Sequence, residues 1–196
     1  GQTLNDDFAS DVEQKDLTPL VVPETDGSWS FSNIRKANYA LASIERIDAT
    51  PAAKNHWRGV ARFFRACYYS NLVFRYGDVP WYDRVPKLSE RKEDMDYLYK
   101  DRDPRAFVDS CIMADFQYAM DSVRENDGPM HINRYVVAAM ASRFMLREGT
   151  FLKYHNIDLK LAEQCLTMAK NAALMIMSSD KYAIAPSYKS LFISED

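Results

Sequence analysis

Residues 57–76 constrain the fold more than any other part of this sequence. Thirteen of these twenty residues are apolar, and they are spread around all sides of a helical wheel. An α-helix with this pattern is usually covered by neighbouring elements on most of its faces. Gly77 tolerates the positive φ that often follows a helix, and Pro80 prevents the helix from resuming. We therefore expect a central, buried helix that ends in a turn.

The composition favours a single all-α domain. The 196 residues are 47% hydrophobic and 27% charged, which is typical of a globular chain with one core. With 6 Gly, 8 Pro and few β-branched runs, the sequence favours helices over a sheet. The net charge of −3 and the lack of a basic cluster argue against a nucleic-acid partner. No apolar run approaches the ~18 residues that a membrane-spanning helix needs.

Four more helices are expected, each from a capping residue followed by apolar side chains at helical spacing. The first is expected to begin at Ser30 or Ser32 and to end at Thr50 with Pro51, and the second to run from Asp103 with Pro104 to residues 127–129. The third is expected to run from Asn133 to Gly149, and the fourth from Asp158 to Ser178 with Ser179. Long helices in antiparallel pairs indicate a stack of the tetratricopeptide type, although its strict sequence repeat is not legible here.

Residues 1–28 and 77–103 are expected to lie outside the main helices. The first segment is acidic and contains two prolines, which indicates an extended lead-in. The second is long for a connection without structure of its own, and it combines aromatic with charged side chains. We expect part of it to be pinned against the helices and part to be solvated.

The second part of the central helix resembles a known family. Residues 61–80 read ARFFRACYYSNLVFRYGDVP, which is similar to the A-x-F-x-R-A-x-Y-Y-x-x-L-x-x-x-Y-G-D-V-P signature of SusD/RagB-type proteins. Three more segments match motifs of that family in the same order. They are I-R-K-A-N at 34–38, E-G-T-F-L-K-Y-H at 148–155 and Y-K-S-L-F at 188–192. Four ordered matches are difficult to obtain by chance.

SusD/RagB-type proteins are glycan-binding surface lipoproteins of Bacteroidetes, built on tetratricopeptide-like helix pairs. The resemblance therefore implies a starch-utilisation-type nutrient uptake system at the outer membrane. In such a system the protein holds a glycan and passes it to a SusC-like TonB-dependent transporter. The resemblance also implies that the chain is a fragment, the N-terminal to central helical part of a longer protein. Membrane attachment is expected only through a lipid anchor outside the given sequence.

Four residues are candidate glycan contacts. The rings of Trp29, Trp81 and Tyr82 lie outside helix interiors, where a flat aromatic face can stack on a sugar. Family members bind glycans through aromatic and amide side chains of loops. By their positions, this resemblance implies that Trp29 and Asn33 are candidate glycan contacts. Packing against the protein's own core is the competing interpretation for each ring.

Other features favour simple structural interpretations. Arg58, Arg62 and Arg65 lie on one helix face, where pairing with nearby carboxylates is a simpler interpretation than anion binding. The histidines and cysteines are isolated, so we expect no metal site, no cofactor and no disulfide. No nucleophile motif or phosphate-binding loop occurs, and we assign no catalytic residue.

The sequence therefore indicates a binding protein and not an enzyme. Two alternatives stay open, a helical-repeat adaptor that binds a protein or peptide and, less favoured, an all-α glycan-processing enzyme. Apolar residues on all sides of helix 57–76 also predict that Phe64 lies in the core. Phe64→Ala would then lower the free energy of unfolding by roughly 3–5 kcal/mol.

Overall fold

The computed structural model describes residues 27–86, 91–126, 128 and 130–193. The chain divides into two units, Gly1–Ser30 and Phe31–Asp196. In the first unit residues 27 and 28 form a turn, and the predicted lead-in up to residue 26 lies outside the described residues. The helices described below belong to the second unit.

Seven helices occur in the described part of the second unit. They are α1 (Ser32–Ile44), α2 (Pro51–Tyr76), α3 (Lys92–Leu98), α4 (Arg105–Ser122), α5 (Arg134–Tyr154), α6 (Leu159–Met177) and α7 (Ser190–Ile193). The described residues contain no β-strand, only an isolated antiparallel bridge between Val79 and Asp103. The predicted all-α class is confirmed.

The long helices pack on one another in chain order. α1 packs on α2, α2 on α4, α4 on α5, and α5 on α6. The short turns 45–50 and 155–158 make α1–α2 and α5–α6 into helical hairpins. Each interior helix is therefore covered mainly by its neighbours in the stack. This is the tetratricopeptide-like arrangement that the sequence predicts.

Local capping signals explain where three of these helices begin. Thr50 accepts a hydrogen bond from a first-turn N–H group, so α2 begins at Pro51, earlier than the apolar pattern indicates. Asn133 caps α5 and Asp158 caps α6 in the same way, as predicted. Gly77 follows α2 with a φ of 72°.

The start of α4 differs from the prediction. Pro104 occupies the N-cap position, and the carboxylate of Asp103 instead accepts a hydrogen bond from the backbone N–H of Trp81 at 2.7 Å. The N–H of Arg105 donates to Oδ1 of Asp78 at 2.8 Å. A residue in the turn after α2 thus caps α4, a long-range contact that the local sequence does not reveal.

α5 continues beyond Gly149, where the sequence predicted its end. The helix runs to Tyr154 because Gly149 permits close packing and does not terminate the helix. A Cβ atom on Gly149 would lie 2.8 Å from Cγ of Leu166 and 3.0 Å from the carbonyl oxygen of Ala162, both on α6. A larger residue would push α5 and α6 apart.

One side of α2 is open to solvent, and the prediction that Phe64 lies in the core is wrong. Phe63 is 4% exposed and Tyr69 is fully buried, whereas Phe64 is 40% exposed. Trp57 and Tyr68 are exposed as well. α1 and α4 cover two faces of α2, so apolar side chains on its third face are left uncovered.

The segment 77–103 carries more structure than a plain connection. Val79 is buried and pairs with Asp103 in the β-bridge. The backbone N–H of Tyr82 donates to the hydroxyl of Tyr69 at 2.5 Å, which fixes this part of the segment on α2. The short helix α3 lies within the same segment.

Candidate functional site

Arg65, one of the residues that carry the resemblance, is the centre of a buried network. Arg65 donates from Nε and Nη2 to the two carboxylate oxygens of Asp115 on α4, at 2.7 and 2.9 Å. Its Nη1 donates to Oδ1 of Asn38 on α1 at 2.8 Å and to the carbonyl oxygen of Asp83 at 3.1 Å. Arg65 thus joins α1, α2, α4 and the segment 77–103 through directional, charge-assisted hydrogen bonds.

A second buried network joins α4 to α5 through Glu148, the first residue of the E-G-T-F motif. Nη2 of Arg105 donates to Oε2 of Glu148 at 2.5 Å, and Nε of Arg147 donates to Oε1 at 2.9 Å. The guanidinium of Arg105 also lies 3.5 Å from the ring centroid of Phe151. This motif therefore holds two helices together inside the protein.

Asp109 is buried beside this second network. Its Oδ2 lies 3.8 Å from Nε of Arg105, and neither carboxylate oxygen has a hydrogen-bond partner in the described structure. Burial and the nearby negative charge of Glu148 raise the pKa of Asp109 to about 7, while Arg105 and Arg147 lower it. Asp109 is thus protonated in much of the folded population near neutral pH.

The arginine row on α2 is paired with carboxylates, as its simplest interpretation predicts. Nη2 of Arg58 donates to Oε1 of Glu45 at 2.5 Å. Nη1 of Arg62 lies 3.8 Å from Oδ1 of Asp115, and its guanidinium lies 4.3 Å from the ring centroid of Tyr118. The row therefore serves helix packing and offers no open anion site.

Trp81, a predicted glycan contact, is not an exposed ring. Its side chain is only 9% exposed, and its ring centroid lies 4.2 Å from that of Tyr69. The guanidinium of Arg65 lies 5.1 Å from the same indole. The expectation of a free stacking face is wrong here, because the segment after α2 folds back over that helix and places Trp81 in the core.

Tyr82 lies in a concavity that we call the arginine pocket. It has a volume of about 400 Å³ and is lined by Phe31, Ser32, Ile34, Arg35, Asn38, Tyr82, Arg84, Pro86 and Leu98. The rings of Phe31 and Tyr82 meet edge to face, with centroids 5.4 Å apart. The hydroxyl of Tyr82 donates to the carbonyl oxygen of Leu98 at 2.9 Å. A pocket of this size is within the usual range for small-ligand sites.

Asn33 lies in a different concavity, between α1 and α2, that we call the aromatic groove. Its volume is about 590 Å³, and the exposed rings of Trp57, Phe64 and Tyr68 form its α2 wall. On the α1 wall, Nζ of Lys36 donates to Oδ1 of Asn33 at 3.4 Å. The groove is thus mostly apolar, with a polar end where α1 begins.

The predicted glycan contacts fall at separate places. Asn33 lines the aromatic groove, Tyr82 lines the arginine pocket, and Trp81 is buried. Trp29 belongs to the first unit, where it is partly exposed. Sequence reasoning did not single out Arg35, although it lies in the I-R-K-A-N motif, or Arg84, whose only signal was its position close to Tyr82.

The described residues give no support for metal chemistry. They contain no group of three or more His, Cys, Asp or Glu side chains that could hold a metal ion. His56 is buried, and its Nδ1 accepts a hydrogen bond from the N–H of Arg124 at 3.1 Å, which is a structural role. Burial raises the pKa of Cys67 to about 12, so its thiol stays protonated. No described helix is both long and apolar enough to cross a membrane.

The fold defines a class, an all-α protein of the tetratricopeptide-like type. The sequence narrows that class further, because a family model described as "Starch-binding associating with outer membrane" matches residues 7–146. The chain therefore belongs to the SusD-like family. No curated protein is significantly similar to it in sequence.

Solved structures agree with this fold. A SusD superfamily protein from Parabacteroides distasonis is 22% identical, with a TM-score of 0.63 over 81% of this chain and 32% of that chain. A protein solved with a xylogluco-oligosaccharide is 20% identical, with a TM-score of 0.64 over 85% of this chain and 32% of that one. A laminarin-binding SusD-like protein is 15% identical, with a TM-score of 0.64 over 84% and 33%.

The chain spans about a third of the length of these three structures. At such low identities the likeness shows a common fold, and it assigns no ligand to this chain.

Proposed function

We propose that this chain is part of a surface glycan-binding protein in a starch-utilisation-type uptake system, which works with a SusC-like TonB-dependent transporter. The observation that carries the proposal is the family match over residues 7–146, whose description names both starch binding and the outer membrane. The two structural relatives described with a xylogluco-oligosaccharide and with laminarin support the glycan as the ligand class.

The concavities of the second unit are suited to sugars. The arginine pocket combines the partly buried ring of Tyr82 with polar side chains, and the aromatic groove combines exposed rings with the amide of Asn33. We keep both residues and Trp29 as proposed contacts, and we assign Trp81 a supporting role because it is buried. One sugar stacked on one ring contributes on the order of 1 kcal/mol. We therefore expect micromolar to millimolar affinity in the full-length protein.

Binding without turnover is part of the same proposal. Hydrolysis of a glycosidic bond needs an acid and a base that reach the substrate. Asp109 and Glu148 lie close enough to influence each other, but both are buried and face arginines, so a glycan has no access to them. This arrangement supports a binding role.

Titration calorimetry of the full-length protein with neutral oligosaccharides tests the proposal, with chromatography of the sugars after incubation. We expect saturable binding and unchanged chain length. Turnover that survives repurification and is abolished by a carboxylate mutation would refute the binding-only reading.

The transporter partnership and the cell-surface location need separate tests. We expect the full-length protein to copurify with an outer-membrane TonB-dependent transporter from its native cells. We also expect protease added to intact cells to remove it. A protein that stays protected in intact cells and copurifies with no such transporter would contradict this part of the proposal.

A protein–protein adaptor is the second candidate, and the aromatic groove is the observation that favours it. An apolar groove between two helices can accept the apolar face of a third helix. A peptide that binds the protein tightly would support the adaptor role if Phe64→Ser abolishes its binding and Tyr154→Ser leaves its affinity unchanged. Tyr154 is an exposed aromatic residue outside the groove and therefore a matched control.

A further inference from the structure

We infer that the arginine pocket binds an acidic sugar, either a uronic acid or a sulfated residue, through Arg35 and Arg84. The inference rests on the proposed glycan-binding function and names the class of glycan that one site takes. It starts from the charges that line the pocket.

Two cations face the arginine pocket without an anionic partner. Arg35 on α1 and Arg84 in the segment 77–103 are exposed, and no carboxylate of the described residues lies within ion-pair distance of either. No Asp or Glu is among the described residues that line the pocket. Arg58, Arg65 and Arg105, by contrast, each pair with a carboxylate. Arg35 and Arg84 are therefore available to an anion from outside.

Hydrogen bonds hold the backbone of Arg84 on α1, the helix that carries Arg35. The side-chain amide of Asn38 donates to the carbonyl oxygens of Tyr82 at 2.8 Å and of Arg84 at 3.3 Å, which attaches the Arg84 backbone to α1. The N–H of Arg84 donates to the hydroxyl of Tyr97 at 3.1 Å, and the Arg84 guanidinium lies 4.4 Å from that ring. A guanidinium stacked on a ring keeps its N–H edge free for a carboxylate or sulfate. Such preorganisation lowers the entropic cost of binding.

The aromatic walls of the pocket favour a sugar over another anion. Phe31 and Tyr82 supply apolar surface beside the two cations. An acidic sugar has an apolar ring face and one anionic group, so it can contact both kinds of wall at once. An acidic peptide has the charge but lacks the flat, rigid ring.

The test compares trigalacturonic acid with its methyl ester, which has the same backbone and no charge, by calorimetry on the full-length protein. We expect the acid to bind about tenfold or more tightly than the ester, because charge-assisted hydrogen bonds are roughly twice as strong as neutral ones. Arg35→Gln and Arg84→Gln should each weaken binding of the acid about tenfold. They should weaken binding of the ester much less, because the ester offers the two arginines no anionic group.

Arg46→Gln is the matched control, because Arg46 is an exposed arginine near the end of α1 that lines neither concavity. It should change neither affinity. A sulfated galactose trisaccharide distinguishes the two anionic groups, since tighter binding of this sugar than of the uronate would identify a sulfate site. A triglutamate peptide controls for charge alone and should bind much more weakly than either sugar.

Several results would overturn the inference. Equal affinity for the acid and the ester, or unchanged affinity in both Gln variants, would refute it while the proposed glycan-binding function stands. Triglutamate binding as tight as that of trigalacturonic acid would show that charge alone is recognised. Failure to bind any acidic or neutral glycan would reject both the inference and the proposed function.

Discussion

Arg65 uses three nitrogens to contact two helices and one loop segment from a position that is 5% exposed. Asp115, its carboxylate partner, is buried as well. Removing one member of such a pair leaves the other charge buried without compensation, which is why broken buried pairs destabilise more than exposed ones.

Arg65→Met should therefore reduce the free energy of unfolding by about 3–5 kcal/mol, measured by urea denaturation. Glu45→Gln breaks the exposed pair with Arg58 and is the control, for which we expect little change. Equal losses in the two variants would show that the Arg65 network does not organise the fold.

Asp109 predicts a specific dependence of stability on pH. Its pKa is raised from an ordinary 3.8 to about 7 in the folded state, so folding takes up a proton between these values. The contribution of Asp109 to stability is complete below about pH 4 and is lost as the pH rises to about 7, by on the order of 4 kcal/mol.

The Asp109→Asn variant lacks this titration. The unfolding free energy of the variant minus that of the wild type should thus increase from pH 4 to pH 7 and then stay constant. Charged neighbours common to both proteins are Glu148, Arg105 and Arg147. A difference independent of pH would contradict the burial of Asp109 without a hydrogen-bond partner.

At the scale of the helix, α2 has one covered and one open side. Phe63→Ala should cost about 3–5 kcal/mol in unfolding free energy, because it leaves a cavity in the core. Phe64→Ala should cost about 1 kcal/mol or less, since the ring is already partly in water. Chemical denaturation of the two single variants measures both free energies of unfolding. A larger loss of stability in Phe64→Ala than in Phe63→Ala would show that the groove is closed in solution.

The contact between α5 and α6 depends on the absence of a side chain at Gly149. Gly149→Ala should destabilise by roughly 1–3 kcal/mol through overpacking, although alanine is the better helix former. Leu166→Ala in the same chain should recover part of this loss by providing space, which a double-mutant cycle measures. Additive losses would show that the two residues do not compete for volume.

Local signals predicted the helices better than they predicted contacts between helices. Asn133 and Asp158 cap their helices because the capping hydrogen bond lies within a few residues of sequence. Gly149 gave a misleading end signal, because its role depends on α6. The exposure of Phe64 and the burial of Trp81 likewise depend on which elements pack nearby. No periodicity within one helix contains that information.

At the scale of the molecule, this helix stack is about a third of the length of the structures that it resembles. Its motif residues Arg65 and Glu148 hold the stack together. Other residues of the matched segments line the two concavities, Arg35 in the arginine pocket and Phe64 in the aromatic groove. The buried part of the family signature is therefore a signature of the scaffold. This explains why the sequence predicted the family and the fold but placed only part of the candidate site.

Titration calorimetry of the full-length protein with a panel of neutral and acidic oligosaccharides is the decisive test of glycan binding. We expect saturable binding of at least one glycan with a micromolar to millimolar Kd and no change in the length of the sugar. Absence of binding across the panel, together with tight binding of a protein or peptide partner, would contradict this expectation.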